Sequence, residues 1–139
     1  MKVSIVIPVY NEEKNIQSLI AEIFMSFKNT KYIYEIIIVN DNSFDNSTQA
    51  INDLILNDPE IISCISNPVN LGQSKSILNG IEKASHEIIA TIDGDGQNNP
   101  ANLPLLLDKY FSDEKIFLVG GIRKNRKDSF IKKISSKIA

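Results

Sequence analysis

Short apolar runs alternate along this chain with longer stretches whose apolar residues recur at helical spacing. The second run has four consecutive apolar residues, 36–39, which indicates a strand buried on both faces, as in parallel sheets. Strands that alternate with helices predict an α/β fold, a three-layer sandwich around a mainly parallel, doubly wound sheet. The strands are expected at residues 2–7 (ended by Pro8), 35–39, 61–65, 88–92 and 116–119.

The stretch after the first run has the clearest helical pattern. Asn11 is expected to cap this helix, with Glu12 and Glu13 in its first turn, where the helix dipole favours acids. Its apolar stripe comprises Ile16, Leu19, Ile20, Ile23, Phe24 and Phe27. Three further helices are predicted: one starting at 45–47 with Ala50, Ile51, Leu54 and Ile55 inward, one after 70–74 with Ile77, Leu78 and Ile81 inward, and one over 101–111.

Length and composition are those of a soluble globular domain. The chain has 139 residues, of which 42% are hydrophobic and 23% charged, so one domain over 1–139 with a substantial core is expected. No apolar run approaches the ~18 residues of a membrane span, and the N-terminus lacks a secretory signal pattern. The single cysteine, Cys64, lies in an apolar segment, which favours a reducing compartment and excludes disulfides.

The charge is unevenly distributed. Residues 123–137 hold seven of the 15 basic residues and one of the 17 acidic ones, a net charge of +6, so the remainder carries −8. At helical spacing, residues 128–139 place apolar side chains on one side and lysines on the other, as in a helix that lies on an anionic membrane. An ordinary helix packed on its own sheet gives the same pattern.

Three polar loops follow predicted strands: residues 8–12, 40–43 and 93–97. Because open α/β sheets bind ligands at the carboxyl edge of their strands, these loops are expected to form one binding site. The last loop contains two acids, Asp93 and Asp95, separated by a glycine. In extended backbone their side chains lie on the same side, about 6 to 7 Å apart along the chain.

Two carboxylates so placed repel each other unless a cation lies near them. A divalent ion with oxygen ligands is the natural partner, the side-chain oxygen of Gln97 can join it, and a diphosphate can complete its coordination. Gly94 and Gly96 are expected to leave room for a ligand close to the backbone. The alternative is an ordinary strand-to-helix turn, since Asp, Gly and Asn are common turn residues.

Four motifs occur in order along the chain: Pro8-Val-Tyr-Asn-Glu-Glu13, Ile38-Val-Asn-Asp-Asn-Ser43 followed by Asp45, Asn70-Leu-Gly-Gln-Ser74, and Asp93-Gly-Asp-Gly-Gln97. Together they resemble the signatures of family 2 glycosyltransferases, which have the GT-A nucleotide-sugar fold. The Gln of the last motif and the Gly-Gln-Ser of the third are most similar to those of the branch that transfers sugars to polyprenyl or dolichyl phosphate. The resemblance covers about residues 1–130.

The resemblance implies a metal-dependent, inverting hexosyltransferase of cell-envelope biogenesis, at the cytoplasmic face of a membrane. It implies that a UDP- or GDP-sugar is the donor and a polyprenyl phosphate the acceptor, with Mg²⁺ or Mn²⁺ bridging the donor diphosphate. The implied roles by position are these: Pro8, Tyr10 and Glu12 line the nucleotide pocket, Asp41 accepts a hydrogen bond from the base, Asp93 lies beside ribose or phosphates, Asp95 and Gln97 bind the metal, and Arg123 meets a donor or acceptor phosphate.

The sequence departs from the family pattern at several points, and two of them leave alternative functions open. Asn40 stands where the family commonly has an acid, and no residue matches the later acidic base of many inverting members. Transfer to a cell-surface polysaccharide or glycoprotein sugar, or a nucleotide-sugar-binding module with impaired turnover, therefore remain alternatives. A dinucleotide-binding oxidoreductase is disfavoured, because the first strand is not followed by a glycine-rich turn. No nucleic-acid partner is expected, because the basic segment lacks an aromatic platform.

Overall fold

A computed structural model of the chain describes residues 1–121. A compact unit spanning Met1–Leu105 contains all strands of the described residues, and residues 106–121 are the described part of a second unit. None of the described helices combines the length and apolar character that a membrane span requires. The elements are β1 (Lys2–Val9), α1 (Ile16–Phe27), β2 (Ile33–Asn40), α2 (Ser47–Asn57), β3 (Ile62–Ser66), α3 (Gln73–Lys83), β4 (Ile89–Thr91) and α4 (Asn102–Tyr110).

The four strands form one sheet in the order β3-β2-β1-β4, and each pair of neighbours is parallel. This arrangement confirms the predicted α/β class with a parallel sheet. The chain moves outward from β1 through β2 to β3 and then returns past β1 to form β4. Because such crossovers are right-handed, α3 lies on the sheet face opposite to α1 and α2. The strand order therefore reverses between β1 and β4, where open sheets commonly bind ligands.

The core follows from the alternation of side chains along the central strands. Val6, Ile37 and Val39 form a buried cluster on one face, and Ala84 and Ile89 pack against it. Ile36 and Ile38 point to the other face, because successive side chains of a strand alternate, and both are fully buried. The predicted stripe of α1 is confirmed at Ile16, Leu19, Ile20, Ile23 and Phe27, all of which are buried.

The helix α3 packs on the sheet through small residues, and the predicted inward face was wrong at two positions. Leu78 and Ile81 are 45% and 40% exposed, whereas Ser76 and Gly80 are buried. A Cβ at Gly80 would lie 2.4 Å from Cγ1 of Val6. The helix backbone therefore lies too close to β1 for a larger side chain at this contact. Apolar spacing does not reveal such a contact, because it counts large residues only.

Pro8 lies inside β1, although it was predicted to end that strand. Strand β4 pairs with β1 only from Ser4 to Val6, and Ser4 and Val6 hydrogen-bond toward β4. Pro8 has the same orientation, because backbone groups alternate between the two sides of a strand. Its missing N–H therefore faces a side where the β4 ladder has already ended, so the strand continues at no cost.

The predicted fifth strand, 116–119, was also wrong: none of the described residues forms a ladder with it. Phe117 and Leu118 are 86% and 88% exposed. A short apolar run shows only that a segment is compatible with a strand. The strand forms only where a neighbouring strand supplies the hydrogen bonds. Arg123 and the amphipathic pattern of 128–139 lie outside the described residues.

Substitution of Gly80 by alanine is expected to destabilise the chain. Alanine favours helix formation by up to about 1 kcal/mol, but the added Cβ meets the stiff, buried side chain of Val6 at 2.4 Å. Overpacking of this kind costs about 1–3 kcal/mol, so we expect a net loss of about 1–2 kcal/mol in the free energy of unfolding, measured in urea. Ser74→Ala, at an exposed position of the same helix, is the control. Unchanged or higher stability of Gly80→Ala would contradict this packing.

Candidate functional site

A cleft of about 220 Å³ opens at the carboxyl edge of the sheet. It lies where β1 and β4 end, which is the point at which the strand order reverses. Three loops contribute to it, as expected, and the start of α3 adds a fourth part of the wall. The residues that line it are Pro8, Val9, Tyr10, Glu12, Asp41, Gln73, Ser76, Asp93, Gly94 and Asp95.

The loop after β1 is held by the loop after β2, and this explains why α1 starts later than predicted. Asn11 has a left-handed backbone (φ 57°) and does not cap the helix, which begins at Ile16 after Asn15. The loop N–H groups find partners in the other loop instead of in a local cap. Asn11, Glu12 and Glu13 donate to the side chains of Ser43, Ser47 and Asp45 at 3.0, 2.8 and 3.1 Å, and the N–H groups of Phe44 and Asn46 donate to the side chains of Asn11 and Glu13 at 2.9 Å each.

Asp45 holds this pair of loops together as a charged acceptor. Burial alone would raise the pKa of Asp45, but hydrogen bonds from Ser47 and from the N–H of Glu13 outweigh it and lower the pKa. The carboxylate is therefore ionised at neutral pH, and it accepts N–H groups from both loops. The neighbouring residue Phe44 packs edge-to-face on Tyr10, with ring centroids 6.0 Å apart. Tyr10 lines the cleft, whereas Phe44 is largely exposed and supports the Tyr10 ring from outside the lining.

Asp41 is a heavily hydrogen-bonded acid of the cleft, and it is only 3% exposed. Its Oδ1 accepts from Asn67 Nδ2 and from the N–H of Leu71, and its Oδ2 accepts from the N–H of Gly72, each at 2.8 Å. Burial alone would raise the pKa of Asp41, but the hydrogen bonds from these donors and from the Ser76 hydroxyl outweigh it and hold the pKa below its ordinary value. Asp41 thus fixes the turn that leads into α3.

Asn40, the departure from the family's usual acid, is a buried structural residue. Its Nδ2 donates to Thr48 Oγ1 at 2.9 Å, and its Oδ1 accepts the N–H of Ser43 at 3.0 Å. Its carbonyl oxygen accepts the N–H of Asn67. An amide supplies both a donor and an acceptor here, which an ionised carboxylate cannot do.

The loop after β4 is a turn, so the extended backbone that was expected to carry Asp93 and Asp95 was wrong. β4 ends at Thr91, and Gly94 and Asp95 form the turn. Gly94 is buried, and a Cβ there would lie 2.9 Å from the carbonyl oxygen of Pro8. The absence of a side chain at Gly94 therefore lets the loop pack closely against β1; because Gly94 also lines the cleft, the predicted ligand access there stays a prediction. Gly96 has φ +70°, a conformation that favours glycine.

The two acids of this loop have different surroundings. Asp93 Oδ1 accepts from Gln73 Nε2 at 2.6 Å, and its Oδ2 accepts from Asn98 Nδ2 at 3.2 Å. Asp95 Oδ1 accepts the N–H of Gln97 at 3.0 Å, the single hydrogen bond to this carboxylate within residues 1–121, which leaves Oδ2 open to a ligand. Asp93 is therefore held at both oxygens, whereas Asp95 is held at one.

The oxygen atoms that the protein offers near Asp95 supply only part of the coordination that a hard divalent cation needs. Carboxylate and amide oxygens are the ligands that Mg²⁺ and Mn²⁺ prefer, and Asp95 offers an open oxygen. In the described part of the chain, no group of three or more His, Cys, Asp or Glu residues is arranged to hold a metal. A cation at Asp95 would thus need further oxygens from a bound ligand, as diphosphates supply.

The structure brings together most of the predicted site residues. Pro8, Tyr10, Glu12, Asp41, Asp93 and Asp95 all line the cleft. Gln97 is exposed and is not among the lining residues; its backbone N–H, rather than its side chain, meets Asp95. The predicted ligand and metal contacts of these residues stay predictions.

Three lining residues had no predicted role: Val9 at the end of β1, and Gln73 and Ser76 at the start of α3. A signal for Gln73 and Ser76 was present in the sequence. The segment 70–74 follows the third strand, so the rule that located the other three loops at the carboxyl edge applies to it as well.

Comparison with known proteins adds independent findings. The profile of glycosyl transferase family 2 matches residues 4–138. The chain is 40% identical over 139 residues to an undecaprenyl-phosphate 4-deoxy-4-formamido-L-arabinose transferase of Yersinia pestis (strain Pestoides F), covering 99% of this chain and 41% of that protein. The transferase of the same name from Proteus mirabilis (strain HI4320) is 38% identical, with the same coverage. The chain thus spans about two-fifths of the length of these relatives.

Solved structures of similar fold include two with bound donors or products. Glucosyl-3-phosphoglycerate synthase of Mycobacterium tuberculosis, in complex with Mn²⁺, UDP and phosphoglyceric acid, has a TM-score of 0.63 at 24% identity, over 81% of this chain and 40% of that one. A mannosyltransferase of Pyrobaculum calidifontis, in complex with GDP-Man and Mn²⁺, has a TM-score of 0.60 at 21% identity, over 67% of this chain and 27% of that one. At these identities the likeness shows the fold.

Substitution of Asp41 by asparagine is expected to destabilise the chain by about 1–3 kcal/mol, because it turns an NH₂ donor toward a buried N–H. The new amide keeps one oxygen for Asn67 and Leu71 but opposes the N–H of Gly72. The lowered pKa of Asp41 means that the carboxylate stabilises the fold above pH 3.8, its ordinary value, and that this contribution is lost as the pH falls through the lowered pKa.

Urea unfolding at several pH values checks this. The stability difference between wild type and Asp41→Asn should be largest near neutral pH and should shrink in acid. Asp53→Asn, at a position on α2 outside the cleft, is the matched control. A difference that does not depend on pH would contradict the assigned role of the carboxylate.

Proposed function

The chain belongs to glycosyl transferase family 2 and has the GT-A fold, and on that premise we propose that it serves a metal-dependent, inverting transfer of a sugar from a UDP- or GDP-sugar to a polyprenyl phosphate. The observation that carries the proposal is the cleft at the reversal of strand order. Tyr10, Glu12 and Asp41 line this cleft together with Asp93 and Asp95. The aromatic ring of Tyr10 with its neighbouring acids suits the nucleoside part of a nucleoside diphosphate. The pair of acids, Asp93 and Asp95, suits the cation that such a ligand carries on its diphosphate.

The nucleoside end of the donor is proposed to bind along β1 and β2. The ring of Tyr10, which packs edge-to-face against Phe44, offers an apolar surface for a base or ribose, because aromatic side chains and bases stack through their faces. Asp41 is the base acceptor that the family resemblance implies. Both oxygens of Asp41 already accept hydrogen bonds from the protein. The base would therefore share one of these oxygens with a protein donor, which restricts the direction from which it can approach Asp41.

The diphosphate end is proposed to lie at the loop after β4. Asp95, with its open Oδ2, is the residue proposed to hold Mg²⁺ or Mn²⁺, with Gln97 reorienting to add an amide oxygen. A divalent ion bound there would neutralise the charge that develops on the departing diphosphate, which is worth several kcal/mol. Arg123, which lies outside the described residues, keeps its proposed contact with a donor or acceptor phosphate.

The acceptor assignment is supported by the relatives, whose names specify undecaprenyl phosphate. In the proposed reaction an oxygen of the acceptor phosphate attacks the anomeric carbon, the bond to the donor diphosphate breaks, and the nucleoside diphosphate leaves with the electron pair. A phosphate is already anionic, so the attack requires orientation of the two reactants rather than removal of a proton. Such an acceptor would place the reaction at the cytoplasmic face of a membrane.

Asp95→Ala is expected to abolish transfer. Loss of the cation's protein ligand removes stabilisation worth several kcal/mol, which corresponds to about 100-fold or more in turnover. Sugar transfer from UDP- and GDP-sugars to undecaprenyl phosphate, with and without Mn²⁺, measures the effect in the full chain. Asp53→Ala on α2, outside the cleft, should keep wild-type turnover.

The other results each point to a different function. Wild-type transfer to oligosaccharides but not to undecaprenyl phosphate would assign a glycan acceptor. Metal-dependent binding of UDP or GDP without transfer to any acceptor would indicate a nucleotide-sugar-binding module. Unchanged turnover of Asp95→Ala would remove the proposed role of the metal at this loop.

A further inference from the structure

Gln73 is a cleft residue to which neither the sequence motifs nor the implied family roles assign a function. Its Nε2 donates to Oδ1 of Asp93 at 2.6 Å, a hydrogen bond between α3 and the loop after β4. It joins two segments that are 20 residues apart in the chain. The contact therefore links the wall of the cleft that comes from α3 to the pair of acids.

The backbone of Gln73 is placed by buried groups. Gln73 is the first residue of α3, and the residue before it, Gly72, has φ +85°. Asp41 accepts the N–H groups of both Leu71 and Gly72 at 2.8 Å. The N–H of Ser76 bonds to the carbonyl oxygen of Gly72 at 3.0 Å and starts the helix. The Gln73 side chain consequently leaves a fixed point, and its reach to Asp93 is set by the Asp41 carboxylate.

We propose that Gln73 is a positioning residue of the donor site, which holds the Asp93 carboxylate toward α3 so that Asp95 alone is presented to the cation. Asn98 holds the second oxygen of Asp93 at 3.2 Å, so the carboxylate is oriented from two sides. Asp95 has one hydrogen bond, from the N–H of Gln97, within the described residues. This inference rests on the proposed function, because it concerns the same cation and diphosphate.

An uncharged amide suits this task better than a charged side chain. A lysine or arginine at the same place would neutralise Asp93 and weaken the attraction of the acid pair for a cation. A glutamate would add a third carboxylate at hydrogen-bond distance. The glutamine donates one hydrogen bond, restricts the rotation of Asp93, and leaves the negative charge of the pair in place.

Gln73→Leu tests the proposal, because leucine has a similar size and removes only the donor. We expect Mn²⁺-dependent binding of UDP or GDP, measured by calorimetry on the full chain, to weaken about 10- to 100-fold, the usual effect of losing a group that orients a metal site. Binding of UMP or GMP without metal should stay as in wild type, and so should the melting temperature. Gln49→Leu is the matched control, because Gln49 makes the same kind of contact, amide to carboxylate at 2.8 Å, with Asp53 on α2.

The possible results separate the inference from the function on which it rests. Wild-type affinity of Gln73→Leu for UDP or GDP with Mn²⁺ would overturn the positioning role alone. Equal weakening of metal-free and metal-dependent binding, with a lower melting temperature, would also overturn it, because Gln73 would then only support the fold of α3. Absence of Mn²⁺-dependent nucleotide binding in the wild type would overturn the proposed function, and this inference with it.

Discussion

The buried carboxylate of Asp41 determines how the carboxyl edge of this sheet is built. It follows β2 directly, yet its hydrogen bonds come from Asn67 after β3 and from the N–H groups of Leu71 and Gly72 before α3. A charged group that is only 3% exposed is tolerated because these donors compensate for its lost hydration. The same bonds close a tight turn that a hydrophobic contact could not specify, because hydrogen bonds have direction.

The remaining parts of the cleft depend on that turn and on the pair of loops beside it. The turn places Gln73, which reaches Asp93, while the loops after β1 and β2 hold each other through side chains such as Asp45 and Ser47. Chain segments that are distant in sequence thus meet with their polar groups already paired. A site assembled in this way needs little rearrangement when a ligand arrives, which lowers the cost of binding.

Much of the fold could be predicted from the sequence, because buried parallel strands and the stripe of α1 leave strong patterns. The edge of the sheet that carries the site could also be predicted, since polar loops at strand ends converge there. Three features could not. The exposure of Leu78 follows from the close packing of α3 on the sheet at Gly80. The late start of α1 follows from hydrogen bonds between two loops. The absence of a strand at 116–119 depends on pairing with a neighbouring strand, which no local sequence pattern encodes.

The central claim is that the loop after β4 holds a cation which in turn holds the diphosphate of a sugar nucleotide. Crystals of the full chain grown with UDP or GDP and Mn²⁺, measured at the manganese absorption edge, test it most directly. The account predicts an anomalous peak within coordination distance of Asp95 and of both phosphates, about 2.0–2.3 Å, with the base beside Tyr10 and Asp41. A nucleotide bound elsewhere, or a diphosphate in the cleft whose manganese does not touch Asp95, would contradict it.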